Sequence, residues 1–175
     1  MPAYCSMKTF LLALCLSGPA PKAPAPVIFD YHKLRYGNAP AQTTKAELLK
    51  LLGQPKRITQ PKYECGFLSA DEQKQAYYSL AYGPAVFTGN AKAGYVLDRV
   101  KLQPGAKPLR YGQHVWSATT TQHEIEQQFN VVPDPTAKPQ PDGSTILGVR
   151  TEGDDGATFI FKKGRLVEFQ YWSPC

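Results

Sequence analysis

Two segments of the chain set apolar residues four apart behind the same polar signal. Thr44-Lys-Ala-Glu47 opens Leu48-Leu-Lys-Leu-Leu52 and closes at Gly53-Gln-Pro55, while Thr121-Gln-His-Glu124 opens Ile125-Glu-Gln-Gln-Phe129 and closes at Asn130, with Pro133 soon after. Thr-x-x-Glu is the capping box, in which hydroxyl and carboxylate satisfy the free amides of a helix's first turn. Leu48 with Leu52, and Ile125 with Phe129, then fall on one face of a helix and can be buried together. Gly and Asn tolerate the left-handed conformation that ends a helix, and proline cannot continue one. The pattern predicts two short helices, each opened by a capping box and closed by Gly53 or Asn130.

Beyond each helix the period changes. Tyr77–Tyr82, Val86–Thr88 and Tyr95–Leu102 follow the first, and Thr145–Val149, Ala157–Phe161 and Arg165–Trp172 follow the second. All are rich in aromatic and β-branched residues and bounded by glycines, which reads as strands. Phe161-Lys-Lys-Gly-Arg165 predicts a tight hairpin, and Asn90-Ala-Lys-Ala-Gly94 a looser one. The word Leu-Arg-Tyr-Gly stands before both helices, at 34–37 and 109–112. Four matched features in one order mark a repeated unit of extended lead, helix and antiparallel meander. The expected fold class is α+β, as two tandem helix-plus-antiparallel-meander repeats over residues 26–103 and 104–175, separated near Gln103–Pro108.

The N-terminus changes the setting. Met7-Lys-Thr precedes the apolar run Phe10–Leu16 and the small, proline-rich stretch Ser17–Pro26, which are the parts of a secretory leader over residues 1–25 and too short to span a bilayer. Two readings stand for its processing: lipidation at Cys15, whose preceding Leu12-Ala13-Leu14 resembles a lipoprotein box apart from the large Leu14, or simple cleavage near Ala20 to Ala25. The expected location is extracytoplasmic: periplasm, outer membrane or secreted. Beyond the leader two cysteines remain, Cys65 and Cys175. In an exported chain they invite one disulfide, worth roughly 4–5 kcal/mol in the chain-entropy model for so long a loop. Two independent thiols are the alternative, and intact mass with and without reductant separates them.

Charge adds little. With Lys8 and Lys22 of the leader set aside, the 20 basic residues become 18 against 14 acidic ones, a balance of +4. Lys56-Arg57 and Lys162-Lys163-Gly164-Arg165 are short enough to be solvated turns rather than a phosphate footprint, so no nucleic acid is expected as a partner.

Thr44-Lys-Ala-Glu-Leu-Leu-Lys-Leu-Leu-Gly-Gln-Pro55, followed by a meander in an exported chain, resembles the helix opening of the BamE-type small outer-membrane lipoproteins. The tandem arrangement, over roughly residues 33–174, is similar to that of the β-lactamase inhibitor proteins. What the resemblance implies is a compact fold that works by binding other proteins.

The requirements of catalysis find little support. His32, His114 and His123 are scattered with no pair at ligand spacing, and no metal or cofactor is expected. Gly83–Gly89 lacks the lysine and hydroxyl of a phosphate loop, and Gly153-Asp-Asp-Gly156 lacks the ligand alternation of a calcium turn. Asp71, Glu72 and Glu168 are carboxylates that only the tertiary fold could bring together for hydrolysis. Binding directs attention to the sheet. Strict alternation along the last strand turns Val167, Phe169 and Tyr171 toward the helix and Glu168, Gln170 and Trp172 outward; in the first unit it turns Tyr95, Arg99 and Lys101 outward. A face mixing Tyr, Trp and charge has the composition of a protein contact surface. The proline-rich stretch Pro133–Gly143 is a second candidate for contacts, or a stiff spacer. The expected function is non-enzymatic binding of another protein, in an inhibitor, immunity or envelope-assembly role, with the membrane involved only through a lipid anchor. A small-ligand-binding or hydrolytic envelope protein is the alternative.

Overall fold

The computed structural model describes residues 25–61, 75–132 and 139–173. Residues 1–24, where the leader and Cys15 are expected, the two cysteines Cys65 and Cys175, Asp71, Glu72, and residues 133–138 of the proline-rich stretch lie outside the described residues.

Both helices form where their caps are written. Helix α1 spans Lys45–Leu52 and α2 spans Gln122–Phe129. At α2 the box is reciprocal: the Glu124 amide donates to Thr121 Oγ1 at 3.2 Å and the Thr121 amide donates to Glu124 Oε2 at 2.6 Å. At α1 only half of it forms, because the Glu47 carboxylate accepts from the Thr43 hydroxyl at 2.7 Å instead. Asn130 ends α2 in the left-handed region at φ 49°, and Gly53 ends α1 at φ 81°.

The strands decide the architecture. In chain order they are β1 (Leu34–Tyr36), β2 (Ala39–Pro40), β3 (Gln42–Thr43), β4 (Arg57–Thr59), β5 (Tyr78–Tyr82), β6 (Ala85–Asn90), β7 (Gly94–Lys101), β8 (Leu109–Tyr111), β9 (His114–Trp116), β10 (Ser144–Arg150), β11 (Gly156–Lys162) and β12 (Arg165–Trp172). A small sheet has the order β2-β1-β8-β9; a large one runs β10-β11-β12-β7-β6-β5-β4, with β3 also on β7. Every pairing is antiparallel.

This corrects the expectation of an α+β chain built as two helix-plus-meander repeats. Among the described residues twelve strands stand against two α-helices of eight residues each, so the fold is β-rich. Nor do the strands sort into two units. The two Leu-Arg-Tyr words pair with each other, Leu34 opposite Tyr111, Arg35 opposite Arg110 and Tyr36 opposite Leu109, and the last strands of the two meanders join through Phe169 opposite Val100. The physical reason is the strand edge: a three-residue lead and a three-stranded meander each leave unpaired amides and carbonyls, and pairing across the halves satisfies them.

Two bulges set which side chains face inward. Arg99 pairs with Val86 and Leu97 with Phe87, leaving Asp98 as the extra residue of β7; Glu168 pairs with Ile160 and Leu166 with Phe161, leaving Val167 as the extra residue of β12. Each insertion reverses the alternation. Tyr95 and Leu97 therefore share the inner face with Val100, and Leu166 shares it with Phe169; all five are buried. At the tip of the β6–β7 hairpin the strands approach so closely that a Cβ on Gly89 would lie 1.9 Å from the Gly94 carbonyl oxygen.

One core fills the space between the sheets and helices. From the small sheet, Trp116 stacks on Tyr111 at 5.2 Å and meets Phe159 of the large sheet edge-on at 5.1 Å. Phe29, ahead of β1, packs against Phe129 of α2 and Phe169 of β12, and its amide donates to the Arg150 carbonyl at 2.8 Å. Fully buried aromatic side chains contribute about 1.5–3 kcal/mol each by burial alone, which makes this cluster the anchor that holds the small sheet on the large one.

Candidate functional site

The outer face of the large sheet turns away from that core. Its centre is the β7–β12 pair, where Lys101 lies opposite Glu168 and Arg99 opposite Gln170. Gln170 Nε2 donates to Glu168 Oε1 at 2.9 Å, which holds both side chains along the strand. Arg99 and Lys101 are exposed, Glu168 and Gln170 half-buried, and Trp172 is 52% exposed at the end of the row. Arg99, Lys101, Glu168, Gln170 and Trp172 thus come together as the alternation predicted.

Tyr95 does not join them. It is 3% exposed and belongs to the core, because the bulge at Asp98 lies between it and Arg99 and reverses the face. The apolar pattern carries the signal, since Tyr95 and Leu97 run out of phase with Val100 and Leu102. Strict alternation overlooked that phase break.

Beside Trp172 the face is hollowed into an open cleft of about 720 Å³, lined by Gly148, Arg150, Asp154, Gly156, Thr158 and Trp172. Glycines on neighbouring strands make its floor: nothing lies within 4 Å of a Cβ built on Gly148, and one on Gly156 would sit 3.6 Å from Trp172 Cε3. The indole therefore stands over Gly156 as a wall. Sequence reasoning missed Gly148, Arg150 and Asp154, although glycines inside strands do mark close approach or missing side-chain cover.

A second cleft, of about 600 Å³, opens where the sheet forks and β7 is paired by β3 through Val96. The Tyr31 hydroxyl donates to the Leu97 carbonyl there, and its ring meets Tyr171 edge-on at 5.0 Å. Burial pushes the Tyr31 hydroxyl well above its ordinary range, with Tyr171 and Asp98 adding to the effect. Asp98 itself is raised by burial, against the lowering influence of Arg99, whose Nε lies 3.9 Å away, and of Thr88, whose hydroxyl donates at 3.4 Å.

The three histidines stay apart: His123 pairs with Glu126 at 3.7 Å, and no group of three or more His, Cys, Asp or Glu side chains converges among the described residues. No helix among the described residues is long and apolar enough to cross a membrane. Fold and site together define a β-rich, two-sheet protein with an exposed polar and aromatic sheet face. Comparisons of the chain with protein-family models, with curated proteins and with solved structures found no significant match.

Proposed function

We propose that this chain acts outside the cytoplasm by binding another protein through the outer face of its large sheet, in an inhibitor, immunity or envelope-assembly role and without chemistry of its own. The observation that carries the reading is the row from Lys101 and Arg99 through Glu168 and Gln170 to Trp172, ending at the glycine-floored cleft. A half-exposed indole above an open hollow has the form of a binding hot spot: a partner side chain entering the cleft would desolvate the ring, while the mixed charges around it set register and exclude wrong partners. The leader-like N-terminus and the two cysteines beyond it support the location.

The test is cross-linked affinity capture from envelope and secreted fractions, with wild-type and Trp172→Ala chains as bait. The expected result is one stoichiometric partner whose affinity drops about 30-fold with the variant, the loss of a hot-spot tryptophan. A partner captured equally by both baits would remove the centre of the proposed face. A small-ligand role is the second reading, favoured by the tyrosine-lined cleft at the sheet fork; saturable quenching of tyrosine fluorescence by a small molecule, lost in Tyr171→Ala, would support it.

A further inference from the structure

The repeated word has a consequence on the other side of the core. In β1 and β8 the leucines and tyrosines of Leu-Arg-Tyr point inward and are buried, so both arginines point outward. The antiparallel register sets Arg35 directly opposite Arg110. Cross-strand partners lie about 5 Å apart at Cβ, and like charges in that position are destabilising. Among the described residues no carboxylate lies within salt-bridge distance of either guanidinium; Arg35 Nη1 donates to the Asn38 carbonyl at 3.5 Å. The row across the small sheet reads Pro40, Arg35, Arg110, Val115, with Val115 51% exposed.

We propose that this face of the small sheet is a second docking surface, which binds an acidic segment of a partner protein by setting its carboxylates between and upon Arg35 and Arg110. Charge complementarity identifies the occupant. Guanidinium forks match carboxylates in bidentate fashion and are weakly hydrated, so two exposed arginines face to face gain most from an anion placed between them. The apolar Pro40 and Val115 at the two ends of the row suit alternate side chains of an extended peptide. Anionic membrane binding draws on clusters of 4–8 Lys and Arg, and a row holding two arginines falls short of that. The surface stands apart from the Trp172 face, so the chain could hold two protein segments at once.

The probe is a fluorescein-labelled Glu-Val-Glu-Val-Glu peptide, blocked at both ends, read by fluorescence anisotropy at low and physiological salt. Wild-type chain should bind it, Arg35→Ala/Arg110→Ala should weaken binding at least tenfold, and Arg35→Lys/Arg110→Lys, which keeps charge but loses the fork, should fall between. The charge-reversed Arg35→Glu/Arg110→Glu chain should instead take the Lys-Val-Lys-Val-Lys peptide. Lys50→Ala/Arg57→Ala, with the same change of net charge elsewhere, should bind like wild type. Melting temperature controls for folding, and the alanine pair should melt no lower than wild type because a repulsion has been removed. If the alanine pair does not fold, arginine side-chain resonances of the wild-type chain replace it: selective shifts of Arg35 and Arg110 on adding the Glu peptide support the proposal, and no shift overturns it. Equal weakening by the Lys50/Arg57 control overturns it in favour of bulk charge. Arginine-dependent binding to phosphatidylglycerol vesicles with none to the peptide overturns it in favour of a membrane surface.

Discussion

The two halves of the chain are written with the same signals and packed to different depths. α1 buries Leu48 alone, whereas α2 buries both Ile125 and Phe129 and fixes Gln128, whose Oε1 accepts from the Trp116 indole at 3.0 Å. The caps differ in the same direction, reciprocal at Thr121 and one-sided at Thr44. The acids differ in sign. Asp98, in the first half, is half-buried at a bulge and raised; Asp142, in the second, is exposed and held well below the usual carboxylate range by Ser144 and Lys162, with the Lys162 ammonium at 2.9 Å. Matched local sequence yields matched local structure, but the stability each copy carries depends on what packs above it.

The two halves differ most at the helix cores. Phe129→Ala is expected to cost about 3–5 kcal/mol, since Phe129 packs against Phe29, Tyr111, Trp116 and Phe159. Leu48→Ala should cost less, about 2–3 kcal/mol, within the range for a buried leucine. Urea titration of both variants checks the order, and equal losses would mean that the two helices are anchored alike.

Caps give a smaller effect. Thr121→Ala removes the hydroxyl that accepts from the Glu124 amide and donates to Glu124 Oε2 at 2.8 Å, and should cost about 1–2 kcal/mol; Thr44→Ala should cost about 0.5–1 kcal/mol. Thermal melts at one pH suffice; a larger loss at Thr44 would contradict the one-sided geometry.

The smallest contrast lies in pH dependence. The folded-state pKa of Asp98 is raised above its ordinary value of 3.8, so the stability linked to its proton is present below that value and is lost as pH rises through the folded pKa. Asp98→Asn, which can keep the bond from Thr88, should therefore raise the melting temperature at neutral pH and leave it unchanged in acid. For Asp142 the sign reverses: its contribution is present above 3.8 and is lost as pH falls toward the depressed folded pKa. Asp142→Asn should lower the melting temperature at neutral pH, by a small amount because the pair is exposed. Melting curves across the carboxylate range should show opposite slopes for the two differences.

Much of the local structure was legible. Thr-x-x-Glu with Gly53 or Asn130 marked both helices, and the Lys163-Gly164 turn, with both residues at positive φ, was readable from Phe161-Lys-Lys-Gly-Arg165. Of the large-sheet face, Arg99, Lys101, Glu168, Gln170 and Trp172 were readable from alternation, because each lies on the C-terminal side of its strand's bulge. Tyr95 was not, because it lies across the bulge from the residues that set the phase. Gly148, Arg150 and Asp154 could not be placed beside Trp172 by any local rule: the cleft exists only because β10, β11 and β12 stand side by side.

Local sequence dictates where the chain turns, where it coils and where it extends, because caps, turn residues and apolar period act over a few neighbouring positions. The repetition of Leu-Arg-Tyr-Gly was visible, and so was the matching order of elements around it. That the two copies complete each other's sheets follows from long-range packing alone. Strand edges are satisfied by whichever partner lies nearest in space, and residues 34–36 and 109–111 become neighbours only when one core gathers Phe29, Trp116, Phe129, Phe159 and Phe169 between the sheets. The same closure leaves Arg35 facing Arg110, a juxtaposition that neither copy contains alone.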